Sequence, residues 1–250
     1  MTKTIAFINQ KGGVGKTTSC LNVGAALALQ GYKVLLVDLD AQGNLTTSAG
    51  FEIEDEAPSV YEVLKGSIDI NEAIIAEKSY SVLPADIRFS AAELELSSVP
   101  GREKLLQEAL EALRTAYDFI LIDCAPSLNV VTLMGLTAAD SVVIPVQAQY
   151  LPLKGVKQLL DTIELVKKRM NERLAIAGVV VTMYDSRKTL DREVVDSVAA
   201  AFPEKVLALI PNNVALAEAP ASGKDIYEYS PQSKGAAAYT ELTEKLLERI

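Results

Sequence analysis

The stretch Gln10-Lys11-Gly12-Gly13-Val14-Gly15-Lys16-Thr17-Thr18 limits the fold more than any other part of the chain. It closes an apolar run, TIAFINQ, and opens a helical pattern over residues 16–30 that Gly31 ends. A glycine-rich turn between a strand and a helix lets backbone N–H groups close around phosphate oxygens, and the positive end of the helix favours the same anion. Gly12, Gly13 and Gly15, with Val14 between them, leave the backbone free to make that approach. In such a loop Lys16 reaches the β- and γ-phosphates, Thr17 places its hydroxyl on a magnesium ion and Thr18 contacts the α-phosphate. The motif departs from the plain G-x-x-x-x-G-K-[ST] pattern at one end. Gln10 stands where the first glycine is due, and a second lysine, Lys11, follows it.

The rest of the chain repeats the alternation that this loop begins. KVLLVDLD, YSVLPAD, DFILIDCAP, SVVIPVQ, AIAGVVVTMY and KVLALIP are short, apolar and β-branched, as strands buried on both faces must be. Amphipathic segments at 101–115, 153–172, 189–201 and 234–249 lie between or after them, whereas 59–78 reads as short helices and the acidic FEIEDEAP at 51–58 as a solvated loop. The pattern predicts an α/β fold in one domain spanning 1–250, with a mostly parallel, twisted sheet of about seven or eight strands and helices on both faces. A length of 250 residues and 49% hydrophobic content support one deep core of that kind. There is no membrane-length apolar run and no signal-peptide pattern, which points to the cytoplasm. Cys20 and Cys124 sit in no C-x-x-C pair and read as buried structural thiols.

With no histidine anywhere, acid–base work falls to carboxylates, lysines or water. The second strand ends in VDLDAQGN, which puts Asp38 and Asp40 on one face of an extended chain at the carboxyl edge of the sheet. The fourth ends in ILIDCAP, where Asp123 follows four apolar residues, the Walker B pattern of a carboxylate that holds magnesium through water. Magnesium accounts for one or two of the three acids, with Asp123 and Asp38 as candidates, and whichever acid is left over is a candidate to position or deprotonate an attacking water.

KGGVGKTT, VLLVDLDAQGN and FILIDCAPS resemble the deviant-Walker ATPases. With LPADIRFSAAELEL, TMYDSR and LAEAPASGKDI, the chain resembles the ParA/Soj partition ATPases over nearly its full length. The resemblance implies ATP and Mg²⁺ as cofactors, slow hydrolysis and a homodimer formed when ATP is bound. It also implies that Lys11 crosses the dimer interface to the partner's nucleotide, that Asp40 serves the hydrolytic water, and that Gly12 sits where two subunits press together. Adenine contacts are implied near Met183 and at Pro211, Asn212 and Asn213. The family binds nonspecific duplex DNA as the ATP dimer, is stimulated by a ParB-like activator and works on the nucleoid. This chain shows no N-terminal helix-turn-helix extension of the kind some plasmid members carry.

The DNA-binding surface is where the chain departs from that pattern. Asn212, Ala215 and Gln232 stand where basic residues are usual, and the formal net charge is −9, so DNA affinity must come from a local patch. Arg187, Lys188, Arg192, Lys224 and Lys234 remain as candidates, with Arg187 and Lys188 expected at a loop-to-helix junction. Lys167, Lys168 and Arg169 complement a helix dipole first and are a secondary DNA candidate. Two other readings stay open: a related ATPase that positions a protein cargo, and a MinD-like ATPase recruited to membranes. Against the second, the last helix pairs its Leu242, Leu246, Leu247 and Ile250 stripe with acidic Glu241, Glu244 and Glu248, so the stripe is expected to pack on the sheet. A nitrogenase-iron-protein relative would need cluster cysteines, which Cys20 and Cys124 are not placed to be.

Overall fold

The computed structural model describes residues 2–54, 56–149 and 153–250, so Asp55 of the acidic stretch lies outside the described residues. All seven anticipated strands form: β1 Lys3–Phe7, β2 Val34–Leu39, β3 Ser81–Leu83, β4 Phe119–Cys124, β5 Ser141–Gln147, β6 Ala175–Tyr184 and β7 Val206–Pro211. They make one sheet in the order β3-β2-β4-β1-β5-β6-β7, with every neighbouring pair parallel. The helices are α1 Lys16–Leu29, α2 Asn44–Ser48, α3 Val60–Leu64, α4 Ile70–Ala73, α5 Ala92–Glu95, α6 Leu105–Glu111, α7 Val130–Ala138, α8 Leu153–Arg169, α9 Thr189–Ala201, α10 Val214–Ala221, α11 Ile226–Tyr229 and α12 Lys234–Leu247.

Strand alternation sends successive residues of β1 and β2 into two separate cores, because neighbouring side chains leave a strand on opposite faces. Ala6, Leu35 and Val37 join one core with α3, α6, α7, α8 and α9. Ile5, Phe7, Val34 and Leu36 join the other with α1 and α12. On that second face Tyr239, Leu242 and Leu246 are buried, so the apolar stripe of the last helix does pack on the sheet. Both cysteines are free and buried, as structural thiols are.

Some boundaries differ from the pattern reading. The helix anticipated over 101–115 begins as a 3₁₀ turn at Arg102–Lys104 and is α-helical only over α6. The helix anticipated to run to 172 stops at Arg169, where Met170 and Asn171 fold back onto the carbonyl of Val166. The short helices α2, α7, α10 and α11 carry no long amphipathic repeat; side-chain caps start two of them, Asn129 at α7 and Asp225 at α11.

Candidate functional site

The strand order places β1 between β4 and β5, so the loop after β1 sits in a crevice at the carboxyl edge of the sheet where chain connections diverge. In that loop Gly13 and Gly15 have φ of 72° and 83°, left-handed values that favour glycine. Helix α1 begins at Gly15 with no side-chain cap, whereas α12 begins with Ser233 accepting from the N–H of Ala236. The first N–H groups of α1 are thus left for an anion. Thr182 of β6 braces the loop by donating to the carbonyl of Val14 at 2.8 Å.

Lys16 is buried at 7% exposure, and its ammonium donates to the carbonyl of Lys11 at 3.3 Å. Burial lowers its pKa, and the nearby Asp123 opposes that shift. Thr17 donates its hydroxyl to Asp123 Oδ2 at 2.6 Å. The other oxygen of Asp123 is buried and has no hydrogen-bond partner. Burial first, and then the charge of Asp38, push the Asp123 carboxyl up. A buried carboxylate with a spare oxygen, beside a threonine hydroxyl and a phosphate cradle, is a donor set that fits magnesium and its water. When bound, that ion offsets the charge of the phosphates.

Asp38 and Asp123 are register partners across β2 and β4, but Asp38 is otherwise engaged. Its Oδ2 accepts from the N–H and hydroxyl of Thr46, at 2.9 and 2.8 Å, and its Oδ1 accepts from the N–H of Asp40 at 3.1 Å. Complete burial raises its pKa to about 6 against the lowering effect of these bonds. Asp38 therefore locks α2 onto the end of β2. Asp40, just past the end of β2, lies half-buried, with Oδ1 accepting from the N–H of Gln42 at 3.0 Å.

Lys11 is exposed, and its ammonium donates to Gln147 Oε1 at 3.2 Å. Gly12 is exposed too, and a Cβ built on it meets nothing within 4 Å of the same chain. Its φ is not positive, so neither backbone conformation nor packing within this subunit requires a glycine there. Met183, the penultimate residue of β6, has φ of 55°, unusual for a side-chain-bearing residue. Pro211 and Asn212 line a cleft of about 480 Å³ together with Tyr184, Arg187 and Lys234. The buried Oδ1 of Asn213 has no hydrogen-bond partner.

Lys188 is the residue immediately before α9, so the loop-to-helix junction anticipated for it and Arg187 exists. Arg187 is 87% exposed but is paired with Asp185 of its own loop at 2.8 Å, a bond that holds Asp185 well below the usual carboxylate range. Lys234 shares the cleft with Arg187, Arg192 is exposed on α9, and Lys224 stands apart on the turn after α10. The supporting contacts of Asn9, Thr46, Gln147 and Thr182 were not legible in the sequence, because each depends on a partner from a different strand or on a turn whose path the pattern does not reveal.

Comparison with known proteins places this geometry in a family. A family model described as an AAA domain matches residues 2–176, and one described as 4Fe-4S iron sulfur cluster binding proteins of the NifH/frxC family matches residues 105–250. Within the second span the only cysteine is the buried Cys124. The chain is 47% identical to the sporulation initiation inhibitor protein Soj of Bacillus subtilis, with 98% of each chain covered. It is 44% identical to the chromosome-partitioning ATPase Soj of Treponema pallidum, covering 100% of this chain and 98% of that one. Among solved structures, one titled cobyrinic acid a,c-diamide synthase from Mycobacterium smegmatis, with bound ADP and magnesium, is 43% identical. It superposes with a TM-score of 0.88 and covers 99% of this chain and 95% of that one. With its phosphate cradle, its Walker B carboxylate and its nearly full-length likeness to these relatives, the chain belongs to the ParA/Soj-type partition ATPases.

Proposed function

We propose that this Mg²⁺-dependent ATPase is a single-domain switch that partitions plasmid or chromosome DNA by forming a dimer when it holds ATP. The observation that carries the reading is the exposed Lys11–Gly12 pair. A glycine that its own subunit does not require, next to an exposed lysine whose ammonium is bonded to Gln147 of β5, makes physical sense as a close-approach point between two copies. A cation meeting the neighbour's polyphosphate offsets the repulsion between two nucleotide-loaded subunits. Lys16 and the loop of Gly13, Val14 and Gly15 hold the phosphates of ATP, and Thr17 with Asp123 holds the metal. Thr18 touches the α-phosphate, and Met183, Pro211, Asn212 and Asn213 flank the adenine. Asp38 supports this shell by fixing α2 and adding negative charge, and Asp40 orients the attacking water.

The dimer carries nonspecific duplex DNA through Arg187, Lys188, Arg192, Lys224 and Lys234, works on the nucleoid in the cytoplasm, and lets go when a ParB-like activator stimulates hydrolysis. Among the described residues no helix is long and apolar enough to cross a membrane. The burial of the α12 stripe favours DNA rather than a lipid surface as the track. The dimer is tested with Gly12→Val. This variant should bind ATP as the parent does but sediment as a monomer in the presence of ATP; a normal ATP dimer would place the interface elsewhere.

A further inference from the structure

Lys11 is held by its own subunit at two points, and both lead to β5. Asn9 accepts from the N–H of Lys11 at 3.0 Å and donates to the carbonyl of Pro145 at 2.7 Å. Gln147, two residues further along the same strand, accepts from the Lys11 ammonium at 3.2 Å. The other end of that amide donates to the sulfur of Met183 at 3.1 Å. An ammonium can only donate and an amide oxygen can only accept, so the Lys11 contact fixes which way the Gln147 amide points. Met183 in turn is kept in the left-handed region at φ 55° beside it.

We propose that Gln147 is a positioning residue: it retains the Lys11 side chain on its own subunit and so sets the protein concentration at which ATP-loaded copies pair. This rests on the reading that Lys11 acts across the dimer. The amide of Gln147 offers the ammonium only a dipole, whereas a polyphosphate offers it full opposite charge, so the partner's nucleotide is the stronger acceptor. Gln147 therefore holds Lys11 while a subunit is alone and yields it when a second nucleotide-loaded copy arrives. Two such contacts open per dimer, so a modest bond per subunit becomes a measurable shift in the dimerisation midpoint.

The test uses the full-length protein with Mg²⁺ and a slowly hydrolysed ATP analogue, and reads the dimerisation midpoint by sedimentation. Gln147→Met keeps the length of the side chain but removes the acceptor, and should lower the midpoint about 3- to 10-fold. Gln147→Glu strengthens the hold with a full charge and should raise the midpoint by a similar factor, less so at high salt. Affinity of each monomer for a fluorescent nucleotide should be unchanged in both. Midpoints that stay at the parent value, or that move the same way in both variants, would overturn the role of Gln147. Lys11→Ala separates the two levels. If it abolishes the dimer while both Gln147 variants are silent, the dimer reading stands and the positioning role falls; if Lys11→Ala pairs like the parent, both fall.

Discussion

Asp38, Asp40 and Asp123 are the same residue type at one sheet edge, and their surroundings give them three different occupations. Asp123 keeps a spare buried oxygen next to Thr17, Asp38 spends both oxygens on Thr46 and on the Asp40 backbone, and Asp40 stays half-open to solvent. Of the three, only Asp40 is open to solvent, which is compatible with the water-positioning role proposed for it. Asp40→Ala is expected to form the ATP dimer and to lose turnover by at least about 100-fold, the usual contribution of a positioned general base. Hydrolysis at the parent rate, measured by phosphate release, would move the water site elsewhere. Lys16→Ala should instead abolish ATP binding in titration calorimetry, since the buried ammonium sits within the phosphate cradle. The placement of Lys16 in the loop after β1 and of Asp123 at the end of β4 was legible from motif spacing alone. The different uses of Asp38 and Asp40 were not, because a two-residue spacing puts both on one face and does not reveal that the chain returns at Thr46.

At the scale of elements, the turn after α2 meets the turn between α10 and α11 with no side chain between them. Gly50 has φ of 87°, and a Cβ there would lie 2.4 Å from the carbonyl oxygen of Gly223. The same carbonyl accepts from the Lys78 ammonium. Gly50→Ala should therefore destabilise the protein by about 2 kcal/mol or more in denaturant unfolding, since it adds a backbone clash to the left-handed penalty. Helix α11 begins at Asp225, which accepts from the N–H groups of Tyr227 and Glu228. Burial is the largest influence on this carboxyl and raises its pKa above 3.8. In that range the folded protein binds its proton more tightly than the unfolded chain, so this contribution is full below about pH 4 and fades as pH rises through the native value. Asp225→Ser keeps a capping oxygen but does not titrate. Its melting temperature should fall less than the parent's as pH rises above about 4, and equal slopes would show that Asp225 is not the group responsible.

At the scale of the whole molecule, the proposed DNA-binding role requires the cations to cluster, because the net charge is −9. Arg187 and Lys234 meet at one cleft, but Arg187 is also held by Asp185, so on that proposal DNA would compete with a carboxylate for its charge. ATP-loaded Asp40→Ala should bind nonspecific duplex DNA with an affinity that falls with salt, by roughly 0.9 in log K per phosphate contact for each decade. Arg187→Ala should weaken binding and flatten that slope by about one contact, whereas Asp185→Asn should strengthen it. Absence of binding at low salt by a confirmed ATP dimer would show that another surface reads the switch. The seven strands, their buried character and the phosphate loop followed from the sequence by itself, because hydrophobic period and glycine spacing are local properties of a chain. The sheet order, the division of labour among three aspartates, the tie from Lys11 through Gln147 to Met183 and the touching glycines at 50 and 223 were decided only by tertiary structure. Each of these depends on which distant segments become neighbours, and parallel strands joined by crossovers bring together residues that no local pattern relates.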